Sequence, residues 1–585
     1  MEKMINLTIN NIPVEIEESK TVLEAAKKVG IDIPTLCYLK GINEIGACRV
    51  CVVEVNGANA LGAACVLTVA EGMNIQTNTK KVRDSRRATM ELILSTHNRE
   101  CLTCFRNTNC ELQTLADELN IKDVPFEGEP MEFTYDDEGT SIVRDQSKCV
   151  LCGRCVSACK QVQSTGILDF TNRGINTRIA TAFDLSLKDT PCINCGNCVS
   201  VCPVAALTEK PDMERVWKAL EDPEMHVIVQ TAPAVRAGLG EEFGLPVGTR
   251  VTGKMVTALK HLGFDKVADT VFGADLTIME EGYELLERIK KGEKGPLLTS
   301  CCPAWVSFCE FHHPEFIGNL SSAKSPQQMF GAMAKSYYAE KHGISKDKIF
   351  VTSVMPCTAK KYEAARSELS VDGHADVDCV ITTKELAKMI KEARIDFKSL
   401  DNTATFDEDV LGIKSGAGVI FGTTGGVMEA ALRTVADILE GKDLEKIEYT
   451  QIRGLEAVKE ATITLGEKTI KVAAVHGSAE ASKLLEKIKK GEADYDFIEI
   501  MACSGGCVAG AGQPQVSAKE KMALDLRMDR AKALYDEDES KVIRKSHQNP
   551  NIQALYKDYL GDPLSDKAHK LLHTHYTKRE KFPVE

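Results

Sequence analysis

Two copies of one cysteine spacing set the tightest limit on how this 585-residue chain can fold. Each copy reads C-x2-C-x2-C-x3-C, and together they comprise Cys149, Cys152, Cys155, Cys159, Cys192, Cys195, Cys198 and Cys202. Paired runs of this kind hold two [4Fe–4S] clusters, and the fourth cysteine of each run binds the other cluster. The spacing therefore predicts one cluster on Cys149, Cys152, Cys155 and Cys202, and a second on Cys192, Cys195, Cys198 and Cys159.

Composition favours metal binding over disulfide bonds. The chain has 22 cysteines. The N-terminus lacks the basic and apolar regions of a signal peptide, so we expect a cytoplasmic protein, where cysteines are more often metal ligands than disulfides. No apolar run reaches the length of a membrane span. A net charge of −13 argues against nucleic acid and anionic membranes as partners.

A third cysteine group lies near the N-terminus, after the strand-like runs Ile5–Ile9 and Val14–Ile16 and the helix-like run Thr21–Val29. Its spacing is C-x10-C-x2-C-x13-C, and its members are Cys37, Cys48, Cys51 and Cys65. One close pair with two flanking cysteines can hold a [2Fe–2S] cluster through four thiolates. Structural zinc is the alternative, because it also takes four cysteines, but the long C-x13-C arm argues against it.

A histidine precedes the remaining N-terminal cysteines, in the pattern H-x3-C-x2-C-x5-C formed by His97, Cys101, Cys104 and Cys110. Residues Val82–Leu94 read as a helix, which places His97 at the helix end. Both N-terminal groups are similar to the front domains of [FeFe]-hydrogenases and of the large iron–sulfur subunit of respiratory complex I. The resemblance implies a β-grasp [2Fe–2S] ferredoxin domain, followed by a [4Fe–4S] domain whose ligands are one histidine and three cysteines.

Strand-like and helix-like runs alternate after residue 225, which predicts α/β layers with a largely parallel sheet. The helix-like runs include Glu280–Lys291, Pro326–His342 and Lys384–Ala393, and the strand-like runs are HVIVQTAP, PLLTSCC, KIFVTSVMPC, CVITT, KVAAVHG and DFIEIMAC. Three cysteine motifs come directly after such strands. Because ligands bind at the carboxyl ends of strands in open α/β sheets, we expect these motifs to converge on one site. The four thiolates predicted there for a [4Fe–4S] cluster are Cys302, Cys357, Cys503 and Cys507, with Cys301 to spare.

The same three motifs resemble the signature motifs of [FeFe]-hydrogenases. They read TSCCPAW (Thr299–Trp305), MPCTAKK (Met355–Lys361) and MACSGGCVAGAGQP (Met501–Pro514). The resemblance implies an H-cluster, in which a [4Fe–4S] cluster on the four thiolates is bridged by Cys507 to a diiron unit with carbonyl, cyanide and azadithiolate ligands. Three departures from the family pattern are Ser504 in place of proline, Ala511 in place of glycine and Ala234 in place of serine.

A proton path is also implied by the resemblance. It runs from the free thiol of Cys301 through Glu281, Ser321 and Glu284 to the surface near Arg288. Residues 281 and 284 are three apart, so a helix brings them to one face. The alternatives are that Cys301 is a small buried hydrophobic residue and that the glutamates form a solvated acidic face.

A pocket around the diiron unit is implied as well. Lys360, otherwise an ordinary surface charge, matches the lysine that contacts a cyanide ligand. The residues that match the pocket lining are Ala232, Pro233, Gln327, Met355, Phe421 and Met501, and ordinary core packing is the alternative for the methionines and the phenylalanine. Cys309 and Cys379 are interpreted as core residues.

The predicted fold class is α+β with several domains. The expected divisions are 1–80 for the [2Fe–2S] domain, 81–125 for the domain with one histidine and three cysteine ligands, 126–210 for a two-cluster bacterial ferredoxin domain, 211–545 for the α/β H-cluster domain and 546–585 for a tail that packs or contacts a partner. The resemblance implies an oxidoreductase that interconverts protons, electrons and H2, fed by one [2Fe–2S] and three accessory [4Fe–4S] clusters. The chain lacks dinucleotide-binding and P-loop motifs, so neither flavin nor NAD(P) is expected on this chain. The tail segments RKSHQNPNIQALYKDYLG and AHKLLHTHY resemble those of the hydrogenase subunit of NAD(P)-linked, often electron-bifurcating, complexes. This resemblance implies a hetero-oligomer whose partner subunits bind flavin and NAD(P), with ferredoxin as a further partner.

Three other functions share part of this pattern. An electron-transfer subunit like that of complex I shares the first two cluster patterns but lacks the three C-terminal motifs. A non-catalytic iron–sulfur assembly protein usually loses the spare cysteine or the motif around Lys360, and this chain keeps both. A formate-linked hydrogenase complex would share the chemistry and differ only in its partner.

Overall fold

The chain divides into two compact units. A computed structural model describes residues 3–127, 134–445, 447–465 and 468–582. The first unit comprises Met1–Leu187, Val201–Thr208 and Val516–Leu524, and the second comprises Lys188–Ser200, Glu209–Gln515 and Asp525–Glu585. Parts of four predicted domains lie outside the described residues: 1–2 in the [2Fe–2S] domain, 128–133 in the ferredoxin domain, 446 and 466–467 in the H-cluster domain, and 583–585 in the tail.

A small mixed sheet with one helix begins the first unit. Its strand order is Ile12–Glu17, Met4–Ile9, Asn74–Gln76, Val52–Val55 and Gly62–Ala63. Alternate residues of the first strand, Ile5, Leu7 and Ile9, are buried, as expected for a strand with one face on a core. The helix Val22–Lys28 starts with a capping box, in which Thr21 and Glu24 satisfy each other's backbone N–H groups.

The rest of the first unit is built from short elements around cysteines. Helix Lys80–Thr96 ends with His97 at its C-cap, as the sequence predicts. Cys110 caps the next helix, Glu111–Glu118. The remaining elements are strands Tyr135–Asp136, Ile142–Asp145, Asp169–Thr171 and Arg178–Ala180 and the helices Arg154–Ser157 and Ala518–Ala523.

A buried arginine joins three cysteine regions of the first unit. The Arg154 guanidinium donates to both carboxylate oxygens of Glu111 at 2.9 and 3.0 Å and to the carbonyls of Cys37 and Tyr38 at 3.3 and 3.2 Å. Asn43 adds bonds to the carbonyls of Cys37 and Cys152, at 2.8 and 3.0 Å. Charge-assisted bonds of this kind are strong and directional when buried, so these loops are held together in one arrangement.

The second unit contains two four-stranded sheets where one largely parallel sheet was expected. The first is fully parallel, in the order Lys266–Asp269, His226–Thr231, Ile349–Met355 and Cys379–Thr382. The second runs Leu297–Leu298, Phe497–Met501, Lys468–His476 and Val458–Leu465, and its last pair is antiparallel. Strand periodicity indicates that strands exist but not which partner each will choose, so one sheet could not be told from two.

Helices cover both sheets of the second unit. The longest, Val271–Lys291, extends the predicted helix by nine residues at its N-terminus. The predicted helix over Pro326–His342 is interrupted by a π-helical stretch at Ala334–Tyr338. The others are Met213–Glu221, Val235–Gly238, Thr252–His261, Pro303–His312, Ala359–Ala364, Thr383–Glu392, Gly416–Val419, Gly426–Glu440, Ser478–Lys489, Leu526–Glu539, Pro550–Leu555 and Asp566–Leu572.

Candidate functional site

A cavity in the second unit lies where the two sheets end. Cys301 and Cys302 follow strand Leu297–Leu298, Cys357 follows Ile349–Met355, and the third motif follows Phe497–Met501. The cavity encloses about 860 Å³ of space, part of which is open to solvent. Its lining includes Cys301, Cys302, Cys357, Cys503, Cys507, Lys360, Ala232, Pro233, Gln327, Met355, Phe421 and Met501. The structure thus brings together the residues predicted for the four-thiolate site and its pocket.

Glycines let the third motif approach its neighbours closely. Gly506 has φ +94°, and a Cβ atom there would lie 2.6 Å from the backbone nitrogen of Thr424. A Cβ atom on Gly510 would lie 2.1 Å from the carbonyl oxygen of Pro356, the residue before Cys357. Only glycine fits such contacts, so Gly506 lets the third motif lie against Thr424, and Gly510 lets it lie against the residue before Cys357.

The four thiols sit in surroundings that suit a metal cluster. Burial, reinforced by the neighbouring thiols, raises the pKa of Cys357 to about 12, and it also raises the pKa of Cys503 and Cys507. Burial raises the pKa of Cys302 too, although N–H groups including that of Ala502, 3.5 Å from its sulfur, oppose the rise. The nearby Lys360 ammonium opposes the pKa rise of Cys302, Cys357 and Cys507 but does not cancel it. Four converging buried thiols become favourable as thiolates when iron neutralises them. The donor set therefore fits a [4Fe–4S] cluster.

A buried cation lies beside Cys301. The Lys360 ammonium donates to the carbonyl of Cys301 at 3.1 Å and to the carboxylate of Glu363 at 2.9 Å. Burial disfavours the charge, but Glu363 outweighs burial and raises the pKa of Lys360. Gln327 donates to the same carboxylate at 2.9 Å, and its buried Oε1 has no hydrogen-bond partner among the described residues. The wall therefore offers a fixed positive charge to an anionic ligand.

Sequence reasoning missed Glu363 and Gln513. Glu363 stands three residues after Lys360 on the helix Ala359–Ala364, and that i, i+3 spacing was the available signal. Gln513 donates from Nε2 to the carbonyl of Ala234 at 2.7 Å, which fixes the backbone where the family's serine is replaced. Ala511, another departure, lies 2.5 Å from where a Cβ atom of Gly196 would be, so there is little room for a larger residue.

The residues of the predicted proton path lie next to one another. Glu281 is fully buried on the helix Val271–Lys291, and Ser321 donates to Glu284 at 2.6 Å. Burial raises the pKa of Glu281 to about 8, with a further contribution from the charge of Glu284. Its carboxyl oxygens have no hydrogen-bond partner at bonding geometry among the described residues, although Ser321 is near enough to oppose the pKa rise. Glu281 and Glu284 are therefore not on a solvated acidic face.

Cys301 shares these surroundings. Burial raises the pKa of its thiol well above the usual range, and the nearby Glu281 adds to the rise. Arg288 lies one turn beyond Glu284 and is partly exposed; it pairs with Glu293 at 3.2 Å and donates to the carbonyl of Gly295. Its described contacts thus lie at the surface, and none of them joins it to Glu284.

A second cavity surrounds four cysteines of the first unit. Its lining includes Cys149, Cys152, Cys155 and Cys202. These are the four that the crossed ferredoxin pattern assigns to one cluster. Burial raises the pKa of Cys149 to about 12, which again indicates thiols that need iron to ionise.

The other ferredoxin-type set is divided between the units. Cys159 belongs to the first unit, and Cys192, Cys195 and Cys198 belong to the second. Cys195 lines the large cavity together with the four motif cysteines. Thr358, next to Cys357, donates to the carbonyl of Asn194 at 2.9 Å. The loop that carries Cys195 is thus tied directly to the motif around Cys357.

The N-terminal group also converges. The sulfur atoms of Cys51 and Cys65 are 3.3 Å apart, and the N–H of Cys48 lies 3.5 Å from the sulfur of Cys37. Four sulfurs in one buried loop region fit a small cluster better than separate core positions.

His97 is half-buried, and its Nδ1 atom is buried without a hydrogen-bond partner among the described residues. Burial lowers the pKa of His97 to about 4, so its imidazole is neutral at neutral pH and able to bind a metal.

Replacing His97 by alanine is expected to remove one [4Fe–4S] cluster signal and to leave hydrogen–deuterium exchange at the large cavity unchanged. The substitution removes the imidazole ligand of one cluster. Position 97 is far in sequence from the residues that line the large cavity, so exchange there is not affected. Electron paramagnetic resonance of the dithionite-reduced protein measures the first effect. The matched control is His261→Ala, at the end of an unrelated helix. Unchanged cluster spectra in the His97 variant would remove it from the ligand set.

Family models match most of the chain. They are described as "2Fe-2S iron-sulfur cluster binding domain" over residues 2–80, "NADH-ubiquinone oxidoreductase-G iron-sulfur binding region" over 86–125 and "4Fe-4S dicluster domain" over 148–206. "Iron only hydrogenase large subunit, C-terminal domain" matches 225–511, and "Iron hydrogenase small subunit" matches 524–579. This order confirms the predicted series of iron–sulfur domains ahead of an α/β domain.

Whole-chain relatives and a solved structure agree with these matches. The chain is 48% identical to the NADP-reducing hydrogenase subunit HndD of Solidesulfovibrio fructosivorans, over 99% of this chain and 100% of that protein. It is 44% identical to iron hydrogenase 1 of Clostridium pasteurianum, over 98% and 100%. A structure of a variant of the [FeFe]-hydrogenase HydA1 from Chlamydomonas reinhardtii is 42% identical over 63% of this chain and 98% of that one, with a TM-score of 0.56.

Among the residues that the structure describes, no helix combines the length and the apolar character needed to cross a membrane.

Proposed function

The chain belongs to the [FeFe]-hydrogenase family, and from that membership we propose that its large cavity holds the H-cluster. The chain is an iron hydrogenase, an oxidoreductase that interconverts H2 with protons and electrons and relays the electrons through iron–sulfur clusters. The observation that supports the site is the convergence of Cys302, Cys357, Cys503 and Cys507 on one buried cavity with Cys301 beside them.

The proposed cofactors are each assigned to a defined group of residues. The four motif cysteines would hold the [4Fe–4S] part of the H-cluster, with Cys507 as the bridge to a diiron unit carrying carbonyl, cyanide and azadithiolate ligands. The accessory set would be one [2Fe–2S] cluster and three [4Fe–4S] clusters on the groups predicted from the sequence. When bound, the diiron unit supplies the site at which hydrogen is made or split. The proposed domain divisions are those predicted from the sequence.

The chain's own residues would then control protons and charge. Lys360, kept cationic by Glu363, faces the cavity and would bind anionic cyanide. Cys301 would pass protons between the diiron unit and Glu281, because its buried thiol stays protonated at neutral pH. Ser321 would connect Glu281 with Glu284, whose carboxylate accepts its hydroxyl hydrogen bond. The apolar side chains of Met355, Phe421 and Met501 would keep bulk water from the cavity.

The pH dependence of this path follows from Glu281. Its pKa of about 8 means that the carboxyl group carries a proton below that pH and loses it above. Exchange between H2 and D2O is therefore expected to fall as the pH rises through about 8, because the relay then lacks its proton. In Glu281→Gln the exchange rate is expected to drop about 10²-fold and the fall near pH 8 to vanish. An unchanged pH profile in that variant would take Glu281 out of the path.

Viologen-driven hydrogen evolution tests the proposed function directly. Anaerobic protein with rebuilt clusters and supplied diiron unit is expected to make H2 from reduced methyl viologen. If the protein bound its full iron content but made no H2, the result would contradict the proposed activity and support only electron transfer.

The partner proposal rests on the similarity to an NADP-reducing hydrogenase subunit. We propose a cytoplasmic hetero-oligomer in which flavin and NAD(P) bind partner subunits and ferredoxin supplies or accepts electrons. NADPH alone is then expected to give no H2 with the isolated chain, while viologen does. Hydrogen evolution from NADPH without a partner would contradict this arrangement.

A further inference from the structure

The C-terminal segment of the second unit is bonded to the strand-like stretch that carries the relay serine. The N–H of Lys324 donates to the carbonyl of Leu572 at 2.7 Å, and the N–H of Thr574 donates to the carbonyl of Ser322 at 2.8 Å. Ala323 and His573 form an antiparallel bridge between these two bonds. Backbone pairing of this kind fixes register, so His573 is held at a defined place beside Ser321 and Ser322.

His573 joins two buried carboxylates through both ring nitrogens. Its Nε2 lies 2.9 Å from Glu280 Oε2, and its Nδ1 lies 2.7 Å from the Ser322 hydroxyl. That hydroxyl in turn donates to Glu284, and His573 Nδ1 is 3.6 Å from Glu284 Oε1. The imidazole is almost fully buried, so these contacts are shielded from solvent.

The groups around His573 come from three elements. Glu280 and Glu284 face it from the helix Val271–Lys291, and Ser322 faces it from the adjoining loop. The ring of His569, one turn earlier, lies 4.2 Å away between centroids. Tyr556 donates its hydroxyl to Glu280, which also accepts the N–H of Leu564 at 2.9 Å. The two carboxylates are thus the nearest opposite charges, and they favour an imidazolium.

The contact changes the pKa of both His573 and Glu284. Burial opposes protonation of His573, but the bonds with Glu280 and Glu284 outweigh it and raise its pKa to about 9. Burial would likewise raise the pKa of Glu284, but hydrogen bonds from His573, Ser321 and Ser322 hold it below its ordinary value. Glu281, which has no such cation, keeps its proton to a higher pH.

We propose that His573 is a positioning residue of the proton path, a cation that keeps Glu284 ionised and aligned through Ser322 so that Glu284 accepts the proton that leaves Glu281. The inference rests on the proposed path from Cys301. It assigns a role to the segment matched by the small-subunit model, for which the sequence predicted only packing or partner contact. Without the cation, the pKa of Glu284 would rise toward that of Glu281. Glu284 would then already hold a proton at moderately acidic pH and could not accept another from Glu281.

His573→Gln tests this role because glutamine keeps hydrogen-bonding atoms and loses the charge. The assay is H2 oxidation by oxidised viologen, measured across pH with the complete enzyme. Loss of a close cation raises a carboxyl pKa by about 1 unit or more. The acidic limb of the profile is therefore expected to move to higher pH by about 1 unit. The matched control is His575→Gln, an exposed histidine two residues later, which is expected to leave the profile unchanged.

A second variant keeps the test decisive if His573→Gln loses its clusters. Glu280→Gln removes one of the two anions that hold the imidazolium, so a smaller shift in the same direction is expected. An acidic limb at the wild-type position in whichever variant retains its iron would overturn the proposal.

Infrared difference titration of the buried carboxyl groups, before the diiron unit is supplied, separates this inference from the proposed function. In the wild type, one carboxyl group is expected to have a pKa below its ordinary value. A rise of that pKa in His573→Gln would support the role of His573, even in a protein without hydrogen turnover. The same titration in both proteins would refute it, whatever the turnover.

Discussion

Replacing Cys301 by serine is expected to lower hydrogen turnover by about 10³-fold, in the range attributed to a positioned general acid or base. A serine hydroxyl has a far higher pKa than a thiol, so it holds its proton too tightly to relay it. The side chain lies in the wall of the cavity beside Lys360 and near Glu281. The other cysteines that line the cavity are each assigned to a cluster: four to the motif set, and Cys195 to a ferredoxin-type set. A 10³-fold loss corresponds to about 4 kcal/mol in the activation free energy.

The measurement is viologen-driven hydrogen evolution per bound iron, together with electron paramagnetic resonance of the clusters. Cluster signals are expected to stay at the wild-type level, because Cys301 is outside the proposed ligand set. Cys309→Ser is the matched control: the same substitution at a buried cysteine, nearby in sequence, that does not line the cavity. Turnover close to that of the control would remove Cys301 from the mechanism.

Replacing Arg433 by methionine is expected to lower the free energy of unfolding of the second unit by about 3–5 kcal/mol, the usual result of removing one member of a buried ion pair. Arg433 is fully buried, and its guanidinium contacts both carboxylate oxygens of Asp538 at 2.9 Å and Glu429 at 2.8 Å. Methionine keeps most of the stem volume but leaves two carboxylates without this cation. The helix Leu526–Glu539 then loses this ion pair with the helix Gly426–Glu440.

Urea unfolding followed by tryptophan fluorescence measures this effect. Both tryptophans, Trp217 and Trp305, belong to the second unit, so the signal reports that unit alone. Lys532→Met is the control, because Lys532 pairs with Asp536 on the exposed face of the same helix and its loss is expected to leave the midpoint unchanged. Equal midpoints for the two variants would show that the buried pair adds no net stability.

Local spacing was enough to predict that Cys149, Cys152, Cys155 and Cys202 lie around one cavity. Within each ferredoxin-type run the cysteines are three or four residues apart, so their separation in sequence limits their separation in space. Six of the eight strands in the two sheets of the second unit were also predicted, because buried strands read as short apolar runs. The edge strands Lys266–Asp269 and Val458–Leu465 were not predicted. The carboxyl ends of the strands that carry the three motifs converge on one cavity as expected, even though these strands belong to two sheets.

Contacts between distant segments were not visible in the sequence. His573 meets Glu280 across 293 residues, and nothing in the local pattern around HTHY distinguishes it from the exposed His575. The burial of Glu281 likewise depends on what packs over its helix, since the run of glutamates in MEEGYELLERI also fits a solvated acidic helix face. Pairing over such separations is a property of the whole packed unit, and periodicity carries no information about it.

The buried hydrogen bonds of Arg154 limit which parts of this chain can be exchanged during evolution. A family built by joining cluster domains suggests parts that can be exchanged, and the separate family models support that picture. Yet one guanidinium satisfies Glu111 together with the carbonyls of Cys37 and Tyr38, from two other cysteine regions. Deleting or swapping either region would leave an arginine charge buried without its partners. Recombination that preserves every cysteine ligand would therefore still fail unless it also carried this shared contact, so the N-terminal regions are expected to be inherited as one block.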